Sequence, residues 1–102
     1  MKLTKLDHVA INVSNIQRSI TWYVNNLNAT VEHQDETWAM LNISGSKIAL
    51  TISGQHPPHI AFNVENMEDV DYEKHFHRDG SEYCYIEDVD GNTIELISWE
   101  NS

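Results

Sequence analysis

Two histidines in matching strands and one carboxylate in an apolar strand are the residues of this chain best suited to chemistry. His8 opens His8-Val9-Ala10-Ile11-Asn12-Val13, and His59 opens His59-Ile60-Ala61-Phe62-Asn63-Val64, fifty-one positions later. Asn15 and Asn66, then Ile16 and Met67, extend the match, so the fold contains two copies of a similar unit. The carboxylate is Glu95, in the run Thr93-Ile94-Glu95-Leu96-Ile97. A charge there is costly unless it is paired or bound to a metal. No Lys or Arg lies in any strand expected in the second half. A lone strand histidine is more often structural than a ligand, but the repeat and the carboxylate together favour a ligand reading. Two imidazoles and one carboxylate with open positions form the facial arrangement of non-haem iron and of other divalent ions.

Tyr85 joins this group through the last hairpin. Asp88-Val89-Asp90-Gly91 suits a type I turn followed by a left-handed glycine, which pairs Asp88 with Asn92. Counting outward then sets Tyr85 opposite Glu95 and Tyr83 opposite Ile97. Directly opposed residues share a face, which puts a phenol beside the carboxylate. A two-residue turn sets Ile86 there instead.

The elements that must position these residues follow from periodicity. Leu6 to Val13 alternates, with Asp7, Val9, Ile11 and Val13 on one face and His8, Ala10 and Asn12 on the other. Ser14 and Gln17 suit a capping box for a helix whose apolar stripe is Ile16, Ile20, Tyr23, Val24 and Leu27. Asn28 suits a left-handed stop. Strands are expected at 29–34, 38–43 and 47–52, which makes the first half β-α-β-β-β. In the second half a strand at 59–64 precedes a helix capped by Asn66 and ended by Asp79-Gly80. Strands at 82–87 and 93–99 then give β-α-β-β, one strand fewer. The expectation is one domain of 1–102, with module one at 1–53, a linker at 54–58 and module two at 59–102.

Ala49, in Ile48-Ala49-Leu50-Thr51, stands where the second half has Glu95, so only one half keeps a carboxylate. His75 and His77, two apart on the expected helix, face different ways and default to solvent. His33 and His56 have no spacing partner, and Cys84 reads as a small core residue. No glycine-rich phosphate loop and no Ser/His/Asp arrangement is legible.

The formal net charge of −10 opposes nucleic acid and anionic membrane as partners. One cysteine excludes an internal disulfide and fits a reducing cytoplasm. No apolar run is long enough to span a bilayer, and the first residues lead into strand-like sequence without a signal-peptide pattern.

The segments LDHVAINVSNIQRSITWYVNNLN, PPHIAFNVENMEDV and YIEDVDGNTIELIS resemble the vicinal oxygen chelate superfamily, which includes glyoxalases, fosfomycin transferases, bleomycin-resistance proteins and extradiol dioxygenases. The resemblance implies an α+β fold of paired βαβββ modules, the second shortened, with mixed sheets that curl around a metal cavity. It implies a divalent ion, Fe(II), Mn(II), Zn(II) or Ni(II), on His8, His59 and Glu95, with the fourth glyoxalase-type ligand lost at Ala49. The ion would chelate two adjacent oxygens of a small substrate, with Tyr85 as acid or donor. His77, Tyr85, Asp88, Gly91 and Glu95 partly match an extradiol dioxygenase signature, although His75, Cys84 and Val89 depart from it. Ring cleavage is therefore weakly favoured over lyase, isomerase or thiol-transferase chemistry. The rival reading is a non-catalytic binding protein of the bleomycin-resistance type. The strand missing from the second module leaves an edge open, and a homodimer is expected to cover it.

Overall fold

The computed structural model describes residues 1–99; the end of the second module, 100–102, lies outside them. The described residues form an α+β fold of two modules, βαβββ in the first and, with a 3-10 turn in place of the helix, the same strand plan in the second. The strands are β1 (Leu3–Val13), β2 (Thr30–Gln34), β3 (Trp38–Ile43), β4 (Ser46–Ile52), β5 (His59–Val64), β6 (His75–Phe76), β7 (Glu82–Glu87) and β8 (Thr93–Ser98). One α-helix, α1 (Ile16–Leu27), and a 3-10 turn, Met67–Asp69, complete them.

The chain divides into two compact units. One holds His8–Pro58, and the other joins Met1–Asp7 to the chain from His59 onward. The boundary thus falls inside β1.

In the unit His8–Pro58 the strand order is β2-β3-β4-β1. The later part of β1 runs parallel to β4, with Ala10 opposite Ala49, while β3 is antiparallel to both β2 and β4. The core gathers Ile16 and Ile20 of α1 with Ala39, Leu41 and Leu50, and Ile11 and Val13 pack against it. The face expected for the Val/Ile row is therefore the helix face. Val24 and Leu27 stay 37% and 45% exposed, so the buried stripe is narrower than the sequence pattern. The helix is capped by Asn15 and not by Ser14: Arg18 N–H donates to Asn15 Oδ1 at 2.9 Å, and Ser14 Oγ accepts from the Arg18 guanidinium at 2.7 Å. Asn28 ends it in the left-handed region at φ 55°.

In the other unit β5 runs parallel to β8, and β7 is antiparallel to β8 and β6. The start of β1 belongs here: Glu65 N–H donates to the Lys2 carbonyl at 2.9 Å, and Asn63 Nδ2 donates to Asp7 Oδ1 at 2.9 Å. Val64, Met67, Val70, Cys84 and Leu96 make the core, with Phe62, Ile86 and Ile94 against it. Ile60, in the same alternating row as Phe62 and Val64, is 41% exposed.

The second helix expected after Asn66 does not form. Asn66 Oδ1 accepts from Glu68 N–H at 3.0 Å, and the turn it caps lasts three residues. Met67 and Val70, each 2% exposed, are three apart, a spacing that a 3-10 turn stacks on one face. Beyond them no apolar stripe rewards a longer helix. Tyr72 and Phe76 are 55% and 66% exposed, and Asp69 and Glu73 would repel each other at i, i+4. His75–Phe76 pairs with β7 instead, His75 opposite Tyr83. The second module therefore has its fourth strand, and its shortening lies in the helix. The expected missing edge strand is corrected by β6, two residues long.

Candidate metal centre

β8 places Glu95 in the middle of its sheet. Glu95 pairs with Ala61 of β5 on one side and with Tyr85 of β7 on the other. The register comes from the hairpin turn: Asp88 N–H donates to the Asn92 carbonyl at 2.9 Å, Gly91 N–H to the Asp88 carbonyl at 3.1 Å, and Gly91 has φ 84°. Asp88 Oδ1 also accepts from Asp90 and Asn92 N–H, both at 2.9 Å. Asn92 Nδ2 donates to Asp88 Oδ2 at 2.9 Å, and this bond first, then the backbone bonds, holds the Asp88 carboxyl below its usual range. The three-residue loop expected from the sequence is the one that forms, and it sets Tyr85 beside Glu95.

Glu95 is 1% exposed. Both of its oxygens face imidazoles. Oε1 lies 3.4 Å from His59 Nε2, and Oε2 lies 2.8 Å from His77 Nε2. Two donors on one ion at bonds of about 2.1 Å stand about 3.4 Å apart when the angle between them is tetrahedral. The His59–Glu95 pair therefore fits a shared divalent ion, and nitrogen with oxygen is a donor set that Fe(II), Mn(II), Zn(II) and Ni(II) all accept.

Aromatic rings wall the pair. Tyr85 is tilted against His59 with centroids 5.3 Å apart, and Tyr83 meets Tyr85 edge-on at 5.3 Å. Burial, then the Glu95 charge, then Tyr83 push the Tyr85 hydroxyl above the ordinary phenol range, and burial and Glu95 do the same to Tyr83. Tyr85 is a neutral hydroxyl near pH 7, able to donate. Cys84, alternating away from these tyrosines, is a core residue as expected, with its thiol pushed up chiefly by burial.

His8 is the first residue of the other unit and is buried on β1. It follows Asp7, whose Oδ1 accepts from Asn63 Nδ2 of β5 at 2.9 Å and Trp99 Nε1 at 3.0 Å. The first half has no counterpart of Glu95: Ala49 pairs with Ala10 as Glu95 pairs with Ala61. His33 holds a turn, with Nε2 3.0 Å from Asp35 Oδ2 and its ring stacked on Trp38 at 4.1 Å. His75 is exposed, as expected. His77 is the residue the sequence misplaced. Expected on a solvent-facing helix, it bonds to Glu95, and its side chain is 26% exposed. Strand alternation from Tyr83 is the signal that could have found it.

The family model of the Glyoxalase/Bleomycin resistance protein/Dioxygenase superfamily matches residues 5–78, and the chain belongs to that superfamily. Among solved structures it is similar to a methylmalonyl-CoA epimerase from Mycobacterium tuberculosis, at 21% identity over 94% of this chain and 88% of that one, with a TM-score of 0.77. A hypothetical protein from Bacillus halodurans C-125 aligns at 21% identity over 96% of both chains, TM-score 0.78. A Streptomyces coelicolor methylmalonyl-CoA epimerase variant in complex with 2-nitronate-propionyl-CoA aligns at 19% identity over 95% of this chain and 98% of that one, TM-score 0.73. At these identities the likeness shows the fold alone. No curated protein matches the sequence. The expected lean toward ring cleavage finds no support in these neighbours, and no described helix is long and apolar enough to cross a membrane.

Proposed function

We propose that this chain is a small metalloenzyme in which His8, His59 and Glu95 hold one divalent ion and a compact keto or hydroxy substrate binds through two adjacent oxygens. The observation that carries the reading is the pair of His59 Nε2 and Glu95 Oε1, 3.4 Å apart on a carboxylate that is 1% exposed. Covalent continuity supports His8 as the third ligand. Its neighbour Asp7 is hydrogen-bonded to β5, the strand that carries His59, and the repeat gives the two histidines equivalent places. A bound divalent ion supplies Lewis-acid polarisation of the substrate oxygens. Tyr85, kept neutral, donates a hydrogen bond at those oxygens. Proton transfer of the isomerase or lyase kind suits this set.

The substrate is small and lacks the polyphosphate tail of a CoA ester. Six Lys and Arg against a net charge of −10 are a poor field for such a tail. All five residues of β2 are exposed, and an open edge invites pairing, which favours a homodimer. The single cysteine, which is buried, suits a cytoplasmic setting. The chain acts as one domain of 1–102.

Metal content of the purified protein, compared with Glu95→Ala and His8→Ala, tests the reading. One equivalent of divalent ion is expected in the wild type and less in each variant. Equal, negligible content in all three overturns it and leaves a non-catalytic binding protein. With metal bound, solvent-deuterium uptake next to the carbonyl of small 2-keto acids, followed by NMR, separates proton transfer from aerobic ring cleavage of a catechol.

A further inference from the structure

His77 is absent from both the repeat and the ligand set, yet it takes up half of the Glu95 carboxylate. We propose that His77 is a positioning residue that donates from Nε2 to Glu95 Oε2, so that Glu95 offers the metal Oε1 alone. The inference rests on the metal reading above and adds a residue to it.

Three sets of contacts place the ring. The His77 N–H donates to the Ser81 carbonyl at 2.9 Å, and the His77 carbonyl accepts from Gly80 N–H at 3.0 Å. Asp79 Oδ1 fixes that turn, accepting from Ser81 N–H at 2.8 Å and from Ser81 Oγ at 2.6 Å, and Ser81 is 1% exposed. The imidazole then stacks on Tyr83, centroids 3.6 Å apart and planes 9° from parallel. With ring plane and backbone both held, Nε2 meets Oε2 at 2.8 Å, the length of a charge-assisted hydrogen bond.

The consequence is a limit on coordination. A carboxylate free to rotate binds an ion through either oxygen or both, whereas one whose second oxygen is taken binds through one. A position that two-oxygen binding by Glu95 would fill stays open for the substrate. Partners that hold a ligand in this way commonly change metal affinity by about 10–100-fold when removed.

Co(II) titration of the metal-free full-length protein, by calorimetry and visible absorption, tests the role in wild type, His77→Leu and His77→Gln. His77→Leu is expected to weaken Co(II) binding by about 10–100-fold and to change the absorption spectrum. His77→Gln, whose amide N–H still donates, is expected to recover most of the affinity. Wild-type affinity and spectrum in His77→Leu overturn the inference and leave the metal reading standing. Equal loss in both variants overturns it too, because an amide cannot replace an imidazole ligand. A wild type that binds no Co(II) overturns the metal reading and the inference with it. Long-range proton–nitrogen NMR of the metal-free wild type gives a check that needs no variant to fold. A proton on Nε2 of His77 is expected, and a bare Nε2 overturns the proposal.

Discussion

Glu95 stands opposite Ala61 on β5 at the register where Ala49 stands opposite Ala10 on β1. The two modules share one plan and differ at the residue proposed as the carboxylate ligand of the metal. A carboxylate at 1% exposure needs partners, and the second module supplies two imidazoles. The first module puts a methyl group at that place.

Glu95→Ala is expected to abolish metal-dependent stabilisation. An ion held at about 100 times its dissociation constant adds about 2.7 kcal/mol to the native state, which for a domain of this size raises Tm by roughly 10–20 °C. Differential scanning fluorimetry with and without Mn(II) measures this. A rise in Glu95→Ala equal to that of the wild type would remove Glu95 from the ligand set.

Tyr85→Phe separates binding from chemistry. Metal affinity is expected to change little, since the phenol ring lies against the His59 ring and Tyr85 stands outside the proposed ligand set. Turnover of an identified substrate falls by about 10²–10³-fold if Tyr85 donates to the substrate oxygens. Unchanged kcat in a metal-loaded variant excludes that role.

Asp88→Ala is expected to lower Tm at neutral pH, because Asp88 Oδ1 and Oδ2 accept three bonds that close the β7–β8 turn. The folded Asp88 carboxyl is held below its ordinary value. Its stabilisation is therefore full above the unfolded carboxylate pKa and fades as pH falls through the depressed one. Tm of the wild type and of Asp88→Ala should converge as pH falls into the acid range, and a gap that does not narrow would count against the account.

Gly91→Ala tests the same turn through the backbone. A Cβ meets nothing within 4 Å there, but φ is 84°, so the cost is conformational and is expected to be about 1 kcal/mol. Urea denaturation reads it; a neutral result means that the turn relaxes.

The Cys84 thiol is expected to react slowly with Ellman's reagent at pH 8.5 and quickly after unfolding. Burial holds its pKa up in the folded chain. The unfolded state loses the proton first as pH rises, so this group contributes stability that declines between about pH 8.5 and the raised folded value. Fast labelling of the native protein would contradict the buried placement.

Much of this architecture was legible in the chain because period-two alternation is local. The HVAINV and HIAFNV strands, β3, β7 and the Asp88–Asn92 turn each carry their signal within a few residues, and the turn type alone set Tyr85 against Glu95. The second helix was misread because Asn66 and the acidic run that follows it look like a helix start. The choice between helix and strand at 70–77 depends on what Phe76 and His75 can pair with, and β7 lies several residues further on. The helix cap likewise falls on Asn15 and not on Ser14, a shift of one position that composition does not resolve. By itself the sequence determined the repeat, its twin histidines and the carboxylate kept in one half. Tertiary structure alone decided that His77 reaches Glu95, because alternation places its side chain on that face only once 75–76 pairs as a strand with β7, which brings together residues eighteen positions apart.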